Sequence, residues 1–113
     1  MKRANRIRKS KDFQRIRREG KSISRAQVVY ISHSNDHESV QIGISAGRSV
    51  GNAVKRNRAK RILRAAMNPL IDKVKPGREI VLIARKPILK ETSTSLQEII
   101  ERLAQESSDL IKQ

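Results

Sequence analysis

Ser49-Val50-Gly51-Asn52-Ala53-Val54-Lys55-Arg56-Asn57-Arg58-Ala59-Lys60-Arg61-Ile62-Leu63-Arg64-Ala65-Ala66-Met67 holds six cations after Val54 and no acid. At 3.6 residues per turn, Ala59, Ile62, Leu63, Ala66 and Leu70 fall on one stripe, the spacing of a helix packed on a core. The cations take the other side: Arg56, Lys60 and Arg64 stack at steps of four, with Asn57 and Arg61 on the next row. Like charges at that spacing repel and destabilise an isolated helix, so the arrangement makes most sense when a polyanion occupies the face. The bland alternative is a solvated basic face, but such faces usually alternate sign and this one does not.

Charge elsewhere is equally uneven. The 113 residues carry 26 Lys and Arg against 11 Asp and Glu, a net charge of +15. Residues 1–30 hold eleven cations and two acids, residues 48–64 hold seven and none, and residues 91–113 net −3. Charge localised to two segments describes a binding surface, and nucleic acid is the default partner for it.

A chain of this length has room for one domain, residues 1–113, with a modest core; the basic residues 1–9 read as a flexible arm. There is no cysteine, which excludes a disulfide framework and a thiolate metal site and makes the reducing cytoplasm the natural compartment. The N-terminal cations Lys2, Arg3, Arg6, Arg8, Lys9 and Lys11 are not followed by the apolar run of a signal peptide, and no stretch is apolar enough to span a bilayer. No membrane partner is expected, because the basic helix also lacks the Trp or Phe of an interfacial anchor.

Outward from the basic helix, periodicity places the other elements. Residues 10–19 read as a short helix with Ser10 as N-cap, Phe13 and Ile16 on one side and Gly20 as its stop. Residues 27–31 form a β-branched and aromatic run and residues 39–45 alternate at period two, which predicts an antiparallel hairpin across the polar connection from His33 to Glu38. After Lys75-Pro76-Gly77, residues 79–84 read as a buried strand. Ser95 and Glu98 have capping-box spacing, and Leu96, Ile99, Ile100, Leu103 and Leu110 continue as a helical stripe. These elements make an α+β sandwich with helices on one face of a small sheet and the other face less covered.

That open face bears on Phe13 and Tyr30, the only aromatic residues. Bases of a single strand stack on aromatic rings at about 1–3 kcal/mol each. Core packing and stacking are evenly matched for Phe13, while the hydroxyl of Tyr30 favours a wet edge. Catalytic constellations are thin: His33 and His37 read as incidental loop histidines, no paired carboxylates share a face, and Ile42-Gly43-Ile44-Ser45-Ala46-Gly47 is too weak for a phosphate loop. A cationic surface without catalytic groups points to a protein that positions nucleic acid while chemistry occurs elsewhere.

The block from Gly51 to Arg64 resembles the Arg-Asn-Arg signature of the bacterial ribonuclease P protein subunits. Lys11-Asp12-Phe13-Gln14-Arg15 is similar to that family's opening helix, Ile42-Gly43-Ile44-Ser45 to its strand before the signature, and Ile83-Ala84-Arg85-Lys86-Pro87 to its last strand. The resemblance implies an α-β-β-β-α-β-α fold with a left-handed strand-helix-strand crossover, like the second domain of ribosomal protein S5, against the usual handedness. It implies an accessory subunit of an endoribonuclease, with no catalytic residue and no metal ligand in the protein and no small-molecule cofactor. Its partners would be the catalytic RNA, which mainly holds the Mg2+, and the 5′ leader of precursor tRNA, which the complex removes. Carried over by position, Arg56, Asn57, Arg58, Lys60, Arg61 and Arg64 would face the catalytic RNA. Phe13 and Tyr30 would line a leader cleft, with Lys11 and Arg15 on its phosphates.

Two departures from the family pattern fall in this region. Arg17 stands where the family often has a second aromatic, and Ser45-Ala46-Gly47-Arg48-Ser49 replaces Ser-Val-Ser-Lys-Lys. The cleft is therefore expected to rely more on charge, including Arg17, and less on stacking. Three other classes fit parts of the pattern. A ribosomal protein would co-sediment with ribosomes, a DNA-binding module would footprint a duplex, and a protein-only nuclease would need grouped acids that this chain lacks.

Overall fold

The computed structural model describes residues 5–35 and 38–111. Helix α1 (Ser10–Glu19) is followed by strands β1 (Lys21–Ser24), β2 (Val28–Ser34) and β3 (Gln41–Ala46), helix α2 (Ala53–Met67), strand β4 (Arg78–Ala84) and helix α3 (Ser93–Glu106). The strands form one sheet in the order β1-β2-β4-β3. β2 pairs antiparallel with both β1 and β4, whereas β3 pairs parallel with β4.

This order corrects the expected hairpin between residues 27–31 and 39–45. β4 lies between those two strands, and the hairpin is β1–β2. The reason is burial on both faces. Val28 and Tyr30 alternate with Val29 and Ile31 on β2, as Ile80 and Leu82 alternate with Val81 and Ile83 on β4, so each strand is apolar on both sides and belongs in the interior of the sheet.

The two faces carry different helices. Val28, Tyr30, Ile42, Ile80 and Leu82 meet Ala59, Leu63 and Ala66 of α2 and Leu96, Ile100 and Leu103 of α3. On the opposite face Ile31 and Val81 meet Ile16 of α1. The helices are thus not confined to one face; α1 crosses the other and leaves its β3 side open.

Local chemistry sets the ends of these elements. Asn52 caps α2 by accepting the Lys55 N–H at 3.0 Å, a cap worth about 1 kcal/mol. Ser10 is the first residue of α1 and makes no capping bond; Lys9 occupies the cap position. The capping box of α3 is Thr92 with Ser95 rather than Ser95 with Glu98: Thr92 Oγ1 accepts the Ser95 N–H at 3.0 Å, and Ser95 Oγ accepts the Thr92 N–H at 2.9 Å. Leu110 lies beyond α3 and bridges Val74, so the last member of the predicted stripe belongs to the tail.

The expected flexible arm is tied down from Asn5 onward. Asn5 Nδ2 donates to the Val40 carbonyl at 2.8 Å, and the Ile7 N–H donates to the Ile42 carbonyl at 2.9 Å. These bonds strap residues 5–7 along the outer edge of β3, covering part of an edge that would otherwise present unpaired backbone. The Lys2 and Arg3 part of the arm lies outside the described residues.

Candidate nucleic-acid interface

Where α1 stops short of β3, a groove of about 340 Å³ opens beside the helix. Phe13, Gln14 and Arg17 form the α1 wall, Ser45 and Ile83 belong to the sheet, and Arg8 and Lys60 enter from the strap and from α2. Its lining includes three cations and no acid. Phe13 is half-buried: it packs against the cluster of Ile16, Ile31 and Val81 while also lining the groove. Arg17 follows one turn later on the same helix face, which is why it reaches the same groove.

The other residues expected to bind the leader are placed differently. Lys11 is exposed on α1 and is not among the residues lining the groove. Arg15 gives both terminal nitrogens to Glu79, at 3.0 and 2.9 Å, so its guanidinium anchors α1 to β4 and is not a free phosphate ligand. Tyr30 is corrected outright. It is fully buried on the α2 and α3 face, and its hydroxyl donates to Asp109 Oδ2 at 2.6 Å, so it cannot line the groove.

Glu79 is the centre of a small ionic cluster that sequence reasoning missed. Burial alone would raise its pKa, but hydrogen bonds from Arg15 and His33 outweigh that and hold it below the usual carboxylate range. His33 Nδ1 lies 3.1 Å from Glu79, and Nε2 lies 3.6 Å from Glu19. His33 is therefore a structural partner; His37 lies outside the described residues. A carboxylate with a lowered folded-state pKa stabilises fully above its unfolded value and less as pH falls through the folded one. Glu79→Gln should accordingly unfold at lower temperature than the parent at pH 7, with the gap closing below about pH 4. A gap independent of pH would refute that role.

The α2 cations divide by exposure. Lys55, Arg58 and Arg61 are exposed, as is the neutral Asn57, while Arg56, Lys60 and Arg64 are half-buried. Lys60 turns toward the groove, and Arg64 stands with Arg6 of the strap around a pocket that includes Ile42 and Ile44. Among the described residues none of the α2 cations forms a salt bridge, although Arg15, Arg25 and Arg78 elsewhere all do. The basic face of α2 thus keeps its charge available to an external anion. No three His, Asp or Glu side chains among the described residues are grouped to hold a metal ion. Among these residues, too, no helix is long and apolar enough to cross a membrane.

An uncompensated basic helix beside a cation-lined groove on a four-stranded α+β fold defines a nucleic-acid-binding protein. The ribonuclease P family model matches residues 1–108. Ribonuclease P protein components from Bacillus cereus (strain AH187) and Listeria welshimeri are 39% and 43% identical over 98 and 88 residues. These alignments cover 86% and 77% of this chain and 85% and 74% of the relatives. The ribonuclease P protein of Staphylococcus aureus superposes with a TM-score of 0.83 at 31% identity, covering 96% of this chain and all of that one. That of Thermotoga maritima superposes with a TM-score of 0.75 at 28% identity, covering 87% and 93%. The chain belongs to the ribonuclease P protein family, accessory subunits of a metal-dependent ribonucleoprotein endoribonuclease that processes tRNA.

Proposed function

We propose that this chain holds the catalytic RNA through α2 and the 5′ leader of precursor tRNA through the groove between α1 and β3, in the cytoplasm. The observation that carries this reading is the contiguity of the two surfaces: Lys60 belongs to the basic helix and also lines the groove that contains Phe13. Arg58 and Arg61, exposed and without acidic partners among the described residues, are assigned to phosphates of the catalytic RNA, with Asn57 beside them, and Arg56 and Arg64 support the same contact from their half-buried positions. The groove takes an extended strand, with a base against Phe13 and phosphates near Arg17, Lys60 and Arg8. Lys11, outside the groove, is left as a peripheral phosphate contact.

Magnesium ions held mainly by the RNA supply the chemistry of phosphodiester cleavage. The protein contributes binding energy: holding the leader raises substrate affinity, and its cations offset phosphate repulsion and so lower the magnesium that the RNA needs. The decisive experiment is cleavage of a 5′-extended precursor tRNA at low magnesium by the catalytic RNA alone, by the protein alone, and by both. Activity that appears only with both is expected; cleavage by the protein alone, or no stimulation, refutes the reading. Within that assay Phe13→Ala should weaken precursor over mature tRNA by about 1–3 kcal/mol, the value of one base stacked on an aromatic ring. Equal loss for both tRNAs would remove Phe13 from the leader site.

A further inference from the structure

β3 carries a glycine at its third position, where a β-branched residue would strengthen the strand and a glycine weakens it. The backbone gives no reason for it. Only Gly51 and Gly77 among the described glycines have a positive φ, so Gly43 adopts a conformation open to any residue. What distinguishes Gly43 is the space above it. Its neighbours Ile42 and Ile44 face the α2 core, which turns Gly43 toward α1, and there the ring of Phe13 occupies the place of the absent side chain. A Cβ on Gly43 would lie 2.8 Å from both Cε1 and Cζ of Phe13, far inside van der Waals contact, and 3.4 Å from Cβ of Ile7. Ile7 is itself fixed by the N–H bond to the Ile42 carbonyl, so the strap closes one side of the seat.

We propose that Gly43 is a positioning residue for leader recognition: it provides the bare stretch of sheet on which the Phe13 ring rests, and so sets how far that ring stands into the groove. The inference rests on the reading of the groove as the leader site. The ring cannot sink further, because the strand backbone is beneath it, and it cannot slide toward the strap, because Ile7 is there. Adding one methyl group at Gly43 must tilt the ring outward or turn it across the groove. A tilted ring offers a nucleobase less of its face, while the exposed basic face of α2 is untouched.

The test is a double-mutant cycle on the full chain assembled with its catalytic RNA, read as the ratio of affinities for 5′-extended precursor and mature tRNA. Gly43→Ala is expected to lower that ratio about three- to tenfold, a part of the stacking contribution, with affinity for mature tRNA and for the catalytic RNA unchanged. In a Phe13→Ala background the same substitution should lower the ratio no further, because the ring through which Gly43 acts has gone. An unchanged ratio in Gly43→Ala, or a loss that simply adds to that of Phe13→Ala, overturns the proposal while leaving the leader reading intact. No effect of Phe13→Ala on the ratio overturns both. Should Gly43→Ala alone impair folding, the double variant decides: restored folding there supports a clash with the ring, and continued misfolding overturns it.

Discussion

Asp109→Ala is expected to lower the stability of the fold by about 3 kcal/mol, the low end of the range for removing one partner of a buried charged network. Asp109 is 1% exposed. Its Oδ2 accepts the Tyr30 hydroxyl at 2.6 Å, its Oδ1 accepts the Ser32 hydroxyl at 2.8 Å, and the Arg78 Nε lies 3.3 Å away. The alanine variant leaves the fully buried Tyr30 hydroxyl without its acceptor, and that orphaned donor is the largest part of the cost. The Arg78 pair adds less, because that side chain is 27% exposed and water can replace its partner. Burial, reinforced by Asp109, pushes the Tyr30 phenol well above its ordinary value, so it remains a donor at neutral pH.

The same residue ties down the chain after α3. The Asp109 carbonyl accepts the Lys75 N–H at 2.7 Å, and its own N–H donates to the Ala104 carbonyl at 2.9 Å. Loss of the carboxylate therefore loosens a tail that Leu110 and Val74 also hold. For a domain of this size about 3 kcal/mol corresponds to a midpoint lowered by roughly 10 °C or more. Thermal unfolding at pH 7 measures it. A midpoint within about 2 °C of the parent would show that the network contributes nothing net. Asp109→Asn, which keeps an acceptor for Tyr30, should lose less.

Tyr30 also shows where sequence ran out. By local composition its hydroxyl favours a wet edge, yet the structure buries it against Asp109, 79 positions away, and nothing near Tyr30 in sequence selects that partner over solvent. Arg15 is a parallel case: its place on α1 was legible, its commitment to Glu79 64 positions later was not. The helix α2 is readable because its apolar stripe repeats at the helical period, and the strand β4 because its apolar run from Ile80 to Ala84 is unbroken. β1 is not, because Ile23 is the only apolar residue among its four. Strand order escaped for a different reason. A continuous apolar run says that a strand is buried on both faces, as β2 and β4 are, without saying which strand it pairs with, and proximity in sequence then favours the wrong hairpin.

For the site, residue types were legible and directions were not. The acid-free face of α2 announced an anion partner, yet only the packing of α2 on the sheet turns Lys60 toward the groove and leaves Arg58 and Arg61 outward. Arg8 and Arg6 entered the picture only through the strap. Gly43 carried a signal that a careful reading of the strand contains, a glycine with no turn to make, but its meaning depends on the ring above it.

Replacing Arg58 and Arg61 together by glutamine is expected to weaken assembly with the catalytic RNA between about tenfold and a hundredfold at moderate salt. The lower bound follows from discounting two charge-assisted contacts for their exposure, the upper from counting them at nearly full value. Because neither cation has an acidic partner among the described residues, their removal strands no buried charge and relieves repulsion along α2; thermal stability should hold or rise slightly. The salt dependence separates a phosphate contact from a merely local disturbance. Each phosphate neutralised contributes about 0.7–0.9 to the slope of log affinity against log salt, so the double variant should lose roughly 1.4–1.8 from that slope. Preference for precursor over mature tRNA should stay as it is, since Phe13, Arg17 and Lys60 are untouched. Lys60→Gln should behave in the opposite way, lowering that preference more than it lowers assembly, because Lys60 faces the groove. If the Arg58 and Arg61 variant instead keeps its RNA affinity and loses leader preference, the two surfaces have been assigned to the wrong strands. If it loses affinity with an unchanged slope, these cations act through α2 rather than on phosphate.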